Sequence, residues 1–155
     1  MVSKSTQHWL LVNRIVRFGD VDAAGVIHFH NLLRWCHEAW EESLEKYGLH
    51  SSDLFPNAFY SEGKLEVGLP IVHCSADFRR PIKTGDQLEI LLLPEKIDMC
   101  SFQVQSKFQR NGEKVALGLI RHLAINFQTR KRCELPDKIN LWIEASSLNL
   151  GPRPL

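Results

Sequence analysis

One stretch of this chain constrains its fold more than any other. From about Phe29 to Tyr47 the apolar residues Leu32, Trp35, Cys36, Ala39, Trp40, Leu44 and Tyr47 return at three- and four-residue spacing, and Gly48 follows as a natural C-cap. That spacing predicts one long amphipathic helix whose apolar stripe needs a partner surface. Its other face, with Arg34, Glu38, Glu41, Glu42 and Glu45, reads as solvated. The partner surface is predicted by the strand period found elsewhere. Leu10, Val12, Val16 and Phe18 fall on alternate positions, which gives a first strand ending near Phe18. Ile71 to Phe78 alternates, Thr84-Gly85-Asp86 makes a turn, and Leu88 to Leu93 is an apolar run suited to a buried strand. Phe102, Val104, Ser106 and Phe108 alternate with polar neighbours, and Asn111-Gly112 is a hairpin turn. The return strand, Val115 to Phe127, is expected to put Val115, Leu117, Leu119, Leu123, Ile125 and Phe127 on one face. Pro136 then precedes a short helix with Ile139, Trp142 and Ile143 as its buried stripe. Strand, long helix, then consecutive antiparallel strands is an α+β plan, a single helix packed on a curved antiparallel sheet.

Length and composition agree with one such core. At 155 residues the chain is the usual size of a single domain, with no internal repeat; residues 1–155 read as one unit, its tail from about 147 to 155 flexible. The 19 Lys and Arg residues nearly balance the 18 Asp and Glu residues, which argues against a surface built for nucleic acid. No apolar run approaches the roughly 20 residues that cross a bilayer, and no apolar h-region precedes Asn13 and Arg14, so a soluble cytoplasmic protein is expected. Cys36, Cys74, Cys100 and Cys133 form no CxxC pair and read as reduced thiols, mostly in the core.

The common catalytic signatures are missing: there is no GxGxxG after a strand, no GxxxxGK[ST] loop and no GxSxG elbow. His37-Glu38 begins like HExxH, but Glu41 stands where the second histidine would be. What remains is the cluster at the loop and helix start: Asp20, Asp22, Gly25, His28 and His30. The backbone N–H groups of a first helical turn are unpaired and the helix dipole there favours negative charge, so a carbonyl docked near His28 to His30 would be polarised. Asp22 then stands where a carboxylate could attack it or deprotonate a water. Against this, Asp20 and Asp22 serve equally well as turn caps and Gly25 as a positive-φ residue, and on pattern alone that plainer reading is favoured. His28, His30 and His37 do not make a metal site, because positions two apart on a helix do not meet. His73 shares a strand face with Ser75 and Asp77 and could line a pocket. Arg79, Arg80, Lys83 and Arg121 are basic groups able to hold phosphates, each also readable as ordinary surface charge.

These residues also carry a resemblance. Val16-Arg17-Phe18-Gly19-Asp20-Val21-Asp22-Ala23-Ala24-Gly25-Val26-Ile27-His28-Phe29 and then Asn31-Leu32-Leu33-Arg34-Trp35-Cys36-His37-Glu38-Ala39 resemble the 4-hydroxybenzoyl-CoA thioesterase branch of the hotdog superfamily. The motif covers about the first third of the chain. Its wording, together with Ala76-Asp77-Phe78-Arg79-Arg80-Pro81-Ile82 and Ile120-Arg121-His122-Leu123-Ala124-Ile125-Asn126, is most similar to the 1,4-dihydroxy-2-naphthoyl-CoA hydrolases of phylloquinone biosynthesis. The resemblance implies the hotdog fold, an acyl-CoA substrate, subunits pairing through their sheets as a homodimer or homotetramer, and no cofactor or metal. It places the catalytic carboxylate on Asp22 and the carbonyl-holding backbone N–H on Phe29 or a neighbour. Many relatives have Tyr-His where this chain has His28-Phe29, which leaves His28 or His30 to touch the acyl group. A hotdog dehydratase, a short-chain or other aromatic acyl-CoA thioesterase and a non-catalytic acyl-CoA-binding protein are the alternatives.

Overall fold

The computed structural model describes residues 7–55 and 65–147. The expected flexible tail falls outside them beyond Ser147. In chain order the elements are β1 (Leu11–Ile15), α1 (Phe29–Tyr47), β2 (Val67–Gly68), β3 (Ile71–Phe78), β4 (Gln87–Lys96), β5 (Ser101–Arg110), β6 (Glu113–Leu123), β7 (Ile125–Asn126) and α2 (Asp137–Ser147). Five strands form one antiparallel sheet in the order β1-β4-β5-β6-β3, and β2 pairs with β7 beside it. This is the hotdog arrangement, one long helix laid across a curved sheet.

Helix α1 has the length its spacing predicts. Gly48 ends it in the left-handed conformation at φ 107°, and its N–H returns to the Glu45 carbonyl. The stripe Leu32, Trp35, Cys36, Ala39, Trp40 and Leu44 is buried, and the facing sheet supplies Val12, Leu88, Ile90, Leu92, Phe102, Val104, Phe108 and Ile120. Removing this apolar surface from water at roughly 25 cal/mol per Å² is the main force holding helix to sheet. The acidic face is not purely solvated, because Arg14 of β1 pairs with Glu38 and Glu42 of α1. Helix α2 buries Ile139, Trp142 and Ile143 as expected, and the Trp142 indole donates to Ser43 Oγ at 3.1 Å. The hairpin turn also holds: Asn111 and Gly112 have φ of 52° and 77°.

Four local expectations are corrected. The first strand stops at Ile15; Phe18 opens a one-turn 3-10 helix, Phe18–Asp20, and is 83% exposed. There the chain leaves the sheet because the Asp20 carboxylate accepts the Arg17 N–H at 2.8 Å, a local bond that competes with the ladder. Strand β6 presents Ala116, Gly118, Ile120 and His122 to the helix, whereas Leu117, Leu119 and Leu123 are only half-buried on the opposite face. Of the expected set Val115 alone is fully buried. The reason is close approach: a side chain at Gly118 would overlap the Cys36 sulfur. The return strand is also not continuous to Phe127, since β6 ends at Leu123 and β7 belongs to the second sheet. Finally, of the four cysteines only Cys36 is buried; Cys74 is exposed on the edge strand β3.

Inside the core, besides the Cys36 thiol, lies the imidazole of His122. Its ring stacks on Phe102 with centroids 4.9 Å apart and lies 4.3 Å from Trp40, and its Nδ1 lies 3.0 Å from the Leu69 carbonyl oxygen. Burial pushes its pKa down to about 4.

Candidate active site

The segment between β1 and α1 is folded on itself. Val21 and Ile27 form an antiparallel bridge, the Asp22 N–H donates to the Val26 carbonyl at 2.8 Å, and the Gly25 N–H donates back to Asp22 O at 3.0 Å. Gly25 sits at φ +80°, where a side chain would be strained. At the tip the Asp22 carboxylate accepts the Ala24 N–H on Oδ1 at 2.8 Å. The loop does form the Asx turn that the plainer reading asked for, and only Oδ1 is used in doing so.

The loop is then stitched to its neighbours. The Ile27 N–H donates to Ile82 O at 2.9 Å, and the His28 N–H donates to Asp20 O at 2.9 Å. These bonds bring the helix start against the strand end Phe78 to Ile82. His28 is the N-cap of α1 without a side-chain cap bond, and among the described residues neither the Phe29 nor the His30 N–H has a partner. Two unsatisfied donors at a 19-residue helix's positive end form a site for a developing oxyanion.

A cavity of about 600 Å³ opens here, lined by Asp22, Val26, Ile27, His28, Phe29, Phe78, Arg79, Arg80, Pro81 and Ile82. That size suits a small organic acyl group. Phe29 and Phe78 line it and are 65% and 47% exposed, so two aromatic residues border the space with apolar surface still open to a flat apolar group.

The structure thus brings Asp22, His28, Phe29, Arg79 and Arg80 to one cavity. His30 lies beside it with its Nδ1 2.6 Å from His28 Nδ1; contrary to the expectation for two helical positions the rings meet, because His28 is the extended N-cap, and His30 touches the lining through it. Lys83 follows Ile82 on the surface with its backbone N–H on the Asp86 carboxylate at 2.9 Å. The Arg80 guanidinium is paired with Glu113. His73 and Arg121 are not brought to the cavity. They are register partners on β3 and β6, and Arg121 donates to Gln103 Oε1 at 3.1 Å in a polar row that continues to Glu95.

Two residues at the site escaped the sequence reading. Phe78 looked like one more apolar strand position; its signal was an aromatic ring at the strand end immediately before Arg79-Arg80-Pro81. Asn31 was passed over within the helical motif, where a polar residue beside Leu32 on the apolar stripe was the available sign.

A helix end with free donors and an aspartate on the loop before it border one cavity of a hotdog scaffold, and the chain belongs to the thioesterase-like superfamily, whose family model matches residues 16–143. It is 59% identical over 142 residues to the 1,4-dihydroxy-2-naphthoyl-CoA hydrolase of Prochlorococcus marinus (strain MIT 9313), covering 92% of this chain and 94% of that one. It is 51% identical over 144 residues to the protein of the same name from Parasynechococcus marenigrum, covering 93% of this chain and 95% of that one. Among solved structures it is similar to a 1,4-dihydroxy-2-naphthoyl-CoA thioesterase from Synechocystis, with a TM-score of 0.76 and 29% identity, covering 86% of this chain and 94% of that chain.

Proposed function

We propose that this chain hydrolyses 1,4-dihydroxy-2-naphthoyl-CoA to 1,4-dihydroxy-2-naphthoate and CoA. The observation that carries the reading is one cavity: Asp22, Phe29 and Phe78 all line it, and the Phe29 N–H has no partner among the described residues. The identity to hydrolases named for this substrate supports the choice of acyl group.

In this reading the naphthoyl ring lies against the two phenyl faces and the thioester carbonyl oxygen accepts from the Phe29 N–H. Asp22 Oδ2, the oxygen outside the Asx turn, either attacks the carbonyl carbon or takes the proton from an attacking water. The carbon–sulfur bond breaks, the CoA thiolate leaves and is protonated, and water supplies the oxygen of the product acid. The helix N–H groups stabilise negative charge on the carbonyl oxygen at the tetrahedral stage. His28, with His30 behind it, borders the acyl group, and Arg79, Arg80 and Lys83 border the route of the CoA phosphates. No cofactor or metal takes part.

The functional unit in this reading is a homodimer or homotetramer. Strand β3 is a sheet edge, and its Ile71, Val72 and Phe78 are 45%, 53% and 47% exposed, an apolar rim with unpaired backbone that a second copy would cover. The enzyme acts in the cytoplasm; among the described residues no helix is long and apolar enough to cross a membrane.

The deciding experiment follows thiol release from naphthoyl, benzoyl, branched and straight-chain CoA thioesters, alongside a search for enoyl-CoA hydration. The expected result is a kcat/KM for the dihydroxynaphthoyl thioester at least tenfold above every other. Equal rates across the panel, hydration, or no turnover would each overturn the assignment. Sedimentation at assay concentration tests the assembly, and an active monomer would refute it.

A further inference from the structure

The carbonyl oxygen of Asp20 accepts two hydrogen bonds from different places. One is from the His28 N–H at 2.9 Å and the other from the Asn31 side-chain Nδ2 at 2.8 Å. Asn31 is 4% exposed in the first turn of α1, and in the buried stripe of that helix only it and Ser43 carry polar side chains. A buried amide without a partner is costly, so this bond is a condition of placing Asn there at all.

What the bond joins gives it a use. Asp20 lies two positions before Asp22, on the rigid arm that ends in the carboxylate. Asn31 lies two positions after Phe29, on the same helical turn as the free N–H. The His28 bond is one rung of the loop's own ladder, beside the Val21–Ile27 bridge and the Asp22–Val26 bond, and ties the arm to the N-cap of the helix. The Asn31 amide adds a tie from inside the helix to the same oxygen, so the loop is fixed to the first helical turn as well as to itself. The Arg34 pair with the Asp20 carboxylate, at 3.4 Å with Arg34 53% exposed, is too open to water to do the same.

We infer that Asn31 is a positioning residue for thioester hydrolysis: its amide, through the Asp20 carbonyl, sets the separation of the Asp22 carboxylate from the Phe29 N–H. This rests on the assignment of Asp22 and Phe29 above. Both groups act on one carbonyl carbon and its oxygen, so their spacing matters in the transition state more than in substrate binding. A misplacement of about 1 Å costs on the order of 10²-fold in rate.

The test measures kcat and KM of the full chain as Asn31→Ala, Asp22→Asn and the double variant, with folding checked by circular dichroism. Asn31→Ala is expected to lower kcat by about 10- to 100-fold with KM changed less than about threefold. Because Asn31 acts only through the placement of Asp22, Asn31→Ala should cost little more once Asp22 is already Asn. Losses that multiply in the double variant, or a folded Asn31→Ala with kcat within about twofold of the parent, would overturn the inference. Should Asn31→Ala not fold, Asn31→Ser removes the amide while keeping a small polar group, and the same criteria apply to it. Normal turnover in Asp22→Asn marks failure of the underlying reading. A slow Asp22→Asn beside an unaffected Asn31→Ala marks failure of this inference alone.

Discussion

The Cys36 sulfur occupies the space in which a side chain at position 118 would begin, so helix α1 and strand β6 approach as closely as a glycine allows. Cys36 is 1% exposed, and its thiol is pushed up to about 12 by burial, which marks it as packing rather than a reactive group. Gly118→Ala should therefore destabilise the fold by about 1–3 kcal/mol or more in urea unfolding. Adding Cys36→Ala should restore part of that loss, because it removes the atom that clashes. A Gly118→Ala variant as stable as the parent would show that the helix has room to move.

The contact also explains what could be read ahead of the structure and what could not. Helix α1, the Asn111-Gly112 turn and the succession of the main strands along the chain are written in local periods of 3.6 and 2, whereas the pairing of β3 with β6 instead of β4 is not. The phase of β6 is not local. Two sets alternate there, Leu117 and Leu119 against Gly118, Ile120 and His122, and apolarity alone favours the leucines; the decision is made by Cys36, which demands the smaller residue. At the site the Asp22 loop and the helix start were legible because Asp, Gly and a helix boundary are sequence marks. Phe78 and Asn31 were not, since each acts through a neighbour distant in the chain. The separation of His73 and Arg121 from the cavity likewise depends on register between β3 and β6.

Asp22→Asn keeps the size of the side chain and the bond from the Ala24 N–H but removes the charge. Its kcat should fall by about 10²-fold or more, and further if the carboxylate attacks the carbonyl directly. Asp20→Asn should cost less than about tenfold, because the bonds from His28 and Asn31 go to the Asp20 carbonyl and an Asn side-chain oxygen can still accept the Arg17 N–H. Steady-state kinetics of the two variants side by side check the order.

His122 makes the fold sensitive to acid. Its native pKa is lowered from 6.5 to about 4, so between those values the unfolded chain binds a proton that the native one does not. Stability from this group is complete above about pH 6.5 and is lost as pH falls toward 4, by up to roughly 3 kcal/mol. His37 is the facing ring, 6.1 Å away between centroids, and it lowers the His122 pKa further after burial and against the Leu69 carbonyl. His122→Asn, which keeps a donor for the Leu69 carbonyl, should be less stable at neutral pH but should flatten the slope. Urea midpoints at pH 5 and pH 7 decide, and an unchanged slope would rule His122 out as the source.

Arg79, Arg80 and Lys83 can be tested apart from the chemistry. If they hold CoA phosphates, replacing each by Ala should raise KM for CoA thioesters about equally whatever the acyl group, with kcat little changed and the effect weaker in salt. The matching pantetheine thioesters, which lack the nucleotide phosphates, should not notice. Equal losses on both substrate types would instead assign these residues to shaping the cavity wall, a role consistent with the backbone bonds from Arg79 and Arg80 to Val115 O.

The strand order β1-β4-β5-β6-β3 sets the sequence in which such a chain can assemble. Strands β4, β5 and β6 are consecutive and meet through short turns, so this meander closes small loops and is the part able to form first. The outer strands come from the earlier half of the chain and close far longer ones: Leu11 pairs with Leu91, and Cys74 with Ile120. The edge that would receive a second subunit is thus laid down after the centre it depends on. Until β3 docks, its place on β6 is an open ladder, which gives a newly made chain a reason to finish folding before it meets its own kind.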